Sequence, residues 1–481
     1  MIRSSSPLLV TLILLPVLLH AQDGRRTGDS PAPPAWNEPT RELGIARRTP
    51  QRREAAPKLK LERITSAVPW PRGLVFVDGK LVVLARGRHR RAGGCDPDVE
   101  DRAGCLFEVN PSIAEPVVPG GKAGPRVRAN ARVLAVAEGS PFHVWDRETN
   151  PSDDRLMDRP YCTLVYDALS RNFFICGYSG VDLPGARFRK NATDSIHRFD
   201  LRDRRWHPVE MHDPTVVPPQ DLTRVVPNTY YPHHDPLKNP APHGWLNGPD
   251  GGVVAGRFLY VAGKDNHTLA RYDLAPIRND PSFGWPPSEK VLGRRLRLSM
   301  AGEVREVDLF GHSALAVHDG YLYIGYRTSS VVVRVPLDAS GDLVKPVTAE
   351  LIAEFQPYDA RTRKSANLID MRFNSKGELF VSCASKGRVW KIGVPDPGRV
   401  FDGNDARAGS PTPNQPYLDL PLLTGNPKAR VGNIAFDDRD RLYVCSGNYD
   451  SGTRIAGVIY RAVPTSSATG SAASVPSRSS K

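Results

Sequence analysis

Residues 314–337 read ALAVHDGYLYIGYRTSSVVVRVPL. Three short runs of β-branched and aromatic residues are cut by two turn signals, His-Asp-Gly at 318–320 and Arg-Thr-Ser-Ser at 327–330. Asp-Gly between alternating apolar runs favours a tight hairpin, because the turn needs residues that tolerate positive φ. The stretch is therefore predicted to be an antiparallel meander of three strands.

The same pattern recurs on both sides. It appears as GLVFVDGKLVVLARG from Gly73, TLVYDALSRNFFICGYSG from Thr163 and GGVVAGRFLYVAGKDNHTLARYDL from Gly251. It returns as DMRFNSKGELFVSCASKGRVWKIGV from Asp370 and NIAFDDRDRLYVCSGNYDSGTRIAGVIYRAV from Asn433. Six copies at irregular spacing, each too small to bury both faces of its own sheet, predict an all-β fold. The expected architecture is a six-bladed β-propeller of antiparallel four-stranded blades, with five or seven blades left open by the spacing. The fourth strand of each blade is poorly marked, and the residues around Leu61 to Ile64 are a candidate to complete the last blade and close the ring.

Outside the repeats the composition changes. Met1 to Ala21 carry one early positive charge, Arg3, and the apolar core LLVTLILLPVLL, which reads as a signal peptide. Residues 22–60 are rich in Pro, Arg and Glu without apolar periodicity and are predicted to be a disordered leader. Residues 61–463 are the predicted propeller, and 464–481 a disordered Ser/Ala-rich tail. No later stretch is apolar for long enough to span a bilayer, so the mature chain is expected to be secreted or periplasmic, and monomeric.

The turn between the first and second strands is short in every copy. The turn between the second and third is expanded at 86–104 and 179–195, and the connections between copies are long at 110–160 and 201–246. These two loop classes emerge on one face of a propeller, which makes that face the expected ligand-binding one. Its turns carry Arg86, Arg88, Arg90, Arg91, Arg187, Arg189, Lys190, Lys264, Arg327, Lys386 and Arg454, in a chain with a formal net charge of +13. A basic rim raises the local concentration of an anionic small molecule, glycan or protein partner. Nucleic acid is not an expected partner, since export removes the chain from it and no basic stripe interleaved with aromatics occurs.

Six cysteines in an exported chain predict disulfides. Cys95 and Cys105 lie in one insertion, and Cys162 and Cys176 flank one hairpin at near mirror positions; these are the two expected pairs. Cys383 and Cys445, in second strands, are expected to be buried thiols. Neither zinc-type nor covalent-haem spacing occurs.

Aligning the copies on their first turn puts Arg72, Cys162, Asp250, Ser313, Ile369 and Gly432 in one row and Gly73, Thr163, Gly251, Ala314, Asp370 and Asn433 in the next. Tyr161, Asn247 and His312 lie beside them. Equivalent positions in radial blades fall on a ring about the axis, so Arg72, Tyr161, Asn247, Asp250, Asp370 and Asn433 are the candidate ligand-binding residues and His312 the candidate general base. Such channel groups are expected to stay hydrated, so that replacing them costs little stability.

The repeats resemble the six-bladed superfamily that includes NHL-repeat proteins, the gluconolactonase group and the soluble quinoprotein sugar dehydrogenases. Trp70-Pro71-Arg72-Gly73-Leu74-Val75-Phe76 with Asp78-Gly79 is similar to the opening blade of the quinoprotein dehydrogenases, and Gly311-His312 to the position of their base. That resemblance implies quinone-dependent sugar oxidation, with a quinone and calcium as cofactors, and less directly a metal-dependent lactonase. The lactonases begin their first blade with a metal-binding Glu where Pro71 and Arg72 stand here. A binding module for a small or polymeric ligand, such as a glycan or a protein, is the reading that the residues themselves favour.

Overall fold

The computed structural model describes residues 58–68, 71–85, 106–135, 161–177, 196–207, 249–264, 267–281, 289–300, 303–355, 366–396, 399–403, 415–446 and 457–465. The predicted signal peptide, almost all of the leader and tail, and the insertions at 86–104 and 179–195 lie outside these residues.

Among the described residues the strands form six sheets. Each begins with an inner strand at a repeat anticipated from sequence: Pro71–Val77, Tyr161–Asp167, Pro249–Ala255, His312–His318, Leu368–Phe373 and Ile434–Phe436. Each inner strand turns back antiparallel into a second strand, and that into a third. We call these sheets blades one to six in chain order.

Second strands read as nearly unbroken apolar runs because both faces of each blade are covered. In blade one, Leu81, Val83 and Ala85 pack with Tyr443, Cys445 and Ile459 of blade six, whereas Val82 and Leu84 pack with Leu164, Phe173 and Ile175 of blade two. Alternate residues of one strand thus serve two different cores. Four further apolar layers join blades two and three, three and four, four and five, and five and six. The layers run from each blade to the next and back to the first, so the sheets close into a β-propeller.

Blade six is built from both ends of the folded chain. Leu59–Thr65 pairs antiparallel with Val458–Pro464, in register from Leu59 opposite Pro464 to Arg63 opposite Tyr460. Arg461 ties the seam further by ion-pairing with Glu62 and donating to the Pro111 carbonyl oxygen at 2.9 Å. The strand anticipated around Leu61 to Ile64 is therefore the one that closes the ring.

Blade four departs from four strands. A hairpin, Arg295–Met300 with Glu303–Asp308, joins its outer strand Ala349–Phe355 in parallel, and Phe401–Gly403 pairs parallel with that same strand. Neither segment belongs to the six repeats read from sequence, and only the structure adds them to this sheet.

Inner strands approach each other closely. A Cβ at Gly73 would lie 2.3 Å from the Leu164 Cβ of blade two, and one at Gly251 would lie 1.8 Å from the Ser313 carbonyl oxygen of blade four. Only glycine admits these backbone contacts.

Candidate functional site

All five longer inner strands carry a register irregularity at the same place. It falls between Pro71 and Leu74, Tyr161 and Thr163, Pro249 and Gly251, His312 and Ala314, and Leu368 and Asp370. The row aligned from sequence as Arg72, Cys162, Asp250, Ser313 and Ile369 is thus the bulged residue of each blade. A bulge puts two residues opposite one and re-aims their side chains, which is how polar groups reach the axis from strands that are otherwise apolar.

The sector between blades five, six and one is bonded from blade to blade. Asp370 Oδ2 accepts from the Ile434 amide at 3.0 Å and Oδ1 from the Met371 amide at 2.9 Å. Its carboxylate also takes a hydrogen bond from Asn433 and lies 3.5 Å from the Arg372 guanidinium. Burial nevertheless raises the Asp370 pKa, the loss of water outweighing Arg372 and the amide donors.

Next to it, the Cys445 thiol donates to the Arg72 carbonyl oxygen at 3.2 Å and accepts from the Asn433 amide at 3.0 Å. Burial pushes this thiol up to about 12, so it stays protonated and keeps its donor. An equivalent contact occurs one blade earlier, where the Asp370 amide donates to Ser382 Oγ at 3.0 Å. The expected burial of Cys383 and Cys445 is what the structure has.

The sector between blades three and four is arranged differently. Asp250, 3% exposed, faces Arg327 of the adjoining turn at 3.4 Å. The Gly311 amide donates to His267 Nδ1 at 3.0 Å, while on the side of blade five Ser313 Oγ donates to the Leu368 carbonyl oxygen at 2.8 Å. His312 is wholly buried and packs on Tyr326 with ring centroids 4.5 Å apart. Burial, with a smaller contribution from His267, drives its pKa down to about 3. A neutral imidazole that far below working pH and shut off from solvent is a poor proton acceptor.

Of the residues expected at the axis, Arg72, Asp370 and Asn433 come together around Cys445, whose pKa reflects all three. Asp250 belongs to the next sector with Arg327, and His312 lies in the seam between blades three and four. Asn247 is outside the described residues, and of Tyr161 only the backbone, at the start of its strand, is described. Cys95 and Cys105 are likewise outside. Cys162 and Cys176 stand on paired strands, Thr163 opposite Cys176, with their side chains not described.

The described axial candidates are buried. Arg72, Asp250, Asp370 and Asn433 are 4%, 3%, 3% and 1% exposed, with Asp370 and Asn433 bonded to each other between blades and Asp250 facing Arg327 of the next blade. Sequence reasoning placed Cys445 only as a buried thiol and missed Ser313 and Arg372 as bridging groups. Aligning second strands, which sets Ser382 level with Cys445, was the available signal. Among the described residues no three His, Cys, Asp or Glu side chains cluster as a metal site, and no helix is long and apolar enough to cross a membrane.

No protein-family model matches the chain, and no curated protein does. Among solved structures it is similar to a streptogramin B lyase, at 10% identity over 86% of this chain and 100% of that one, with a TM-score of 0.38. It is similar also to an auxiliary nutrient binding protein from Bacteroides thetaiotaomicron, at 8% identity, covering 85% and 76% of the two chains with a TM-score of 0.43. A luciferin-regenerating enzyme matches at 12% identity over 84% and 95%, with a TM-score of 0.37.

Proposed function

We propose that this chain is an exported binding protein, its propeller holding the insertion-rich face rigid for a ligand with an anionic group, such as an acidic glycan. The observation that supports this most is how the polar axis is used. Asp370, Asn433, Cys445 and Ser313 each make a hydrogen bond that joins one blade to the next. His312, the candidate base, is sealed against Tyr326. Arg327, in a turn between second and third strands, keeps 30% of its side chain exposed beside Asp250. A rigid frame with basic turns suits recognition, since little conformational freedom is lost when a ligand docks.

The test is titration calorimetry of the secreted protein with acidic and neutral oligosaccharides at two salt concentrations. Binding of the acidic set, weakened several-fold by salt and by Arg327→Ala, supports the reading. Sugar oxidation with quinone, calcium and an artificial electron acceptor, or metal-dependent lactone hydrolysis, would replace it with the enzymatic alternative.

A further inference from the structure

The seam between blades three and four contains polar groups that meet no hydrogen-bond partner among the described residues. His312 is 0% exposed, and neither Nδ1 nor Nε2 meets a hydrogen-bond partner. Tyr326, also 0% exposed, has an unpartnered hydroxyl. Ser330, 0% exposed, has an unpartnered Oγ and is anchored to the same corner by its amide, which donates to the Tyr326 carbonyl oxygen at 2.7 Å.

These residues are fixed by the fold. His312 stands opposite Tyr326 in the strand register, beside the bulge at Ser313, and Tyr326 in turn stands opposite Val331, which follows Ser330. Tyr326 projects into the apolar layer shared with Tyr260, Ala262 and Leu269 of blade three. An apolar side chain at 312 or 326 would suit that layer without leaving orphaned donors. Buried polar atoms are almost always hydrogen-bonded, to protein or to ordered water, and a buried water makes about three bonds.

We infer that His312, Tyr326 and Ser330 form an internal hydration site in the seam between blades three and four, holding one or two ordered water molecules. The guest must be neutral and able both to donate and to accept. A neutral imidazole offers one donor and one acceptor, and each hydroxyl offers both, so no charged ligand is matched by this set. The two rings are in contact, with centroids 4.5 Å apart, so their unpartnered atoms border the same seam, where one water can serve more than one of them. The site makes His312 a structural residue of the seam and separates it from the ligand face.

A high-resolution crystal structure of the full chain tests this directly. Water density within hydrogen-bond distance of a His312 nitrogen and the Tyr326 hydroxyl is expected; a dry seam would overturn the inference. Thermal unfolding of His312→Phe, Tyr326→Phe and the double variant gives a second measure. Each single change is expected to lower the melting temperature by a few degrees by stripping the water of a partner. The double variant should lose less than the sum, because the water leaves with both partners. Additive losses, or a rise in each single variant, would refute a shared guest.

Discussion

Two seams of the same ring carry buried polar residues flanking the inner-strand bulge, His312 just before it and Asp370 just after it, and use them in opposite ways. Between blades five and six, Asp370 is bonded by Ile434, Met371 and Asn433, with Arg372 beside it. Between blades three and four, His312 and Tyr326 meet each other only through their rings. The bulge is common to both, so backbone geometry brings polar groups inward without deciding whether they find partners. That depends on the neighbouring blade, which offers a free amide at Ile434 in one case and an apolar layer in the other. The first seam is predicted to be rigid and intolerant, the second wet and tolerant.

The largest expected effect is at Asp370. Asp370→Ala leaves the Ile434 amide, the Asn433 side chain and the Arg372 charge without their shared acceptor, and should destabilise by about 3–5 kcal/mol in a denaturant titration. Asp370→Asn keeps the acceptor oxygen and should lose less. Equal losses would mean that the Arg372 charge, rather than the amide bonds, holds the seam.

Acid should separate the two seams next. His312 has a folded pKa of about 3 against an ordinary 6.5, so the unfolded chain binds its proton first as pH falls. The stability that depends on neutral His312 is complete above pH 6.5. It declines by about 1.4 kcal/mol per unit as pH falls from there toward 3. His267, also lowered by burial with Arg294 nearby, acts in the same direction. His312→Phe should flatten the pH profile of unfolding; an unchanged slope would show that other groups carry it.

Arg327→Ala should have a smaller effect, about 1 kcal/mol or less, because the guanidinium is partly exposed and its contact with Asp250 is long at 3.4 Å. Its signature is instead the weakened binding of an anionic ligand. The smallest expected change is at Cys445. A thiol held near 12 and wholly buried should resist iodoacetamide at neutral pH in the native protein and react only on unfolding, as mass spectrometry would show. Rapid native labelling would mean that the seam between blades six and one opens.

The sequence by itself determined the repeat, the inner-strand positions and the closing role of the residues around Leu61. Each rests on local chemistry, namely a turn signal flanked by apolar runs and a chain end with the right pattern. It also aligned Arg72, Asp250 and Ser313 in one row, which proved to be the bulge, because equivalent blades share backbone geometry. Only the tertiary structure decided what those side chains touch. Asp370 as a ligand-binding residue and His312 as a base were both candidates for the axial site, and neither sequence position shows what its side chain meets. One reaches across 64 residues to the Ile434 amide, and the other is covered by Tyr326 and the layer of blade three. A hydrogen bond between blades depends on the register of two strands that are distant along the chain, and no local pattern encodes that register.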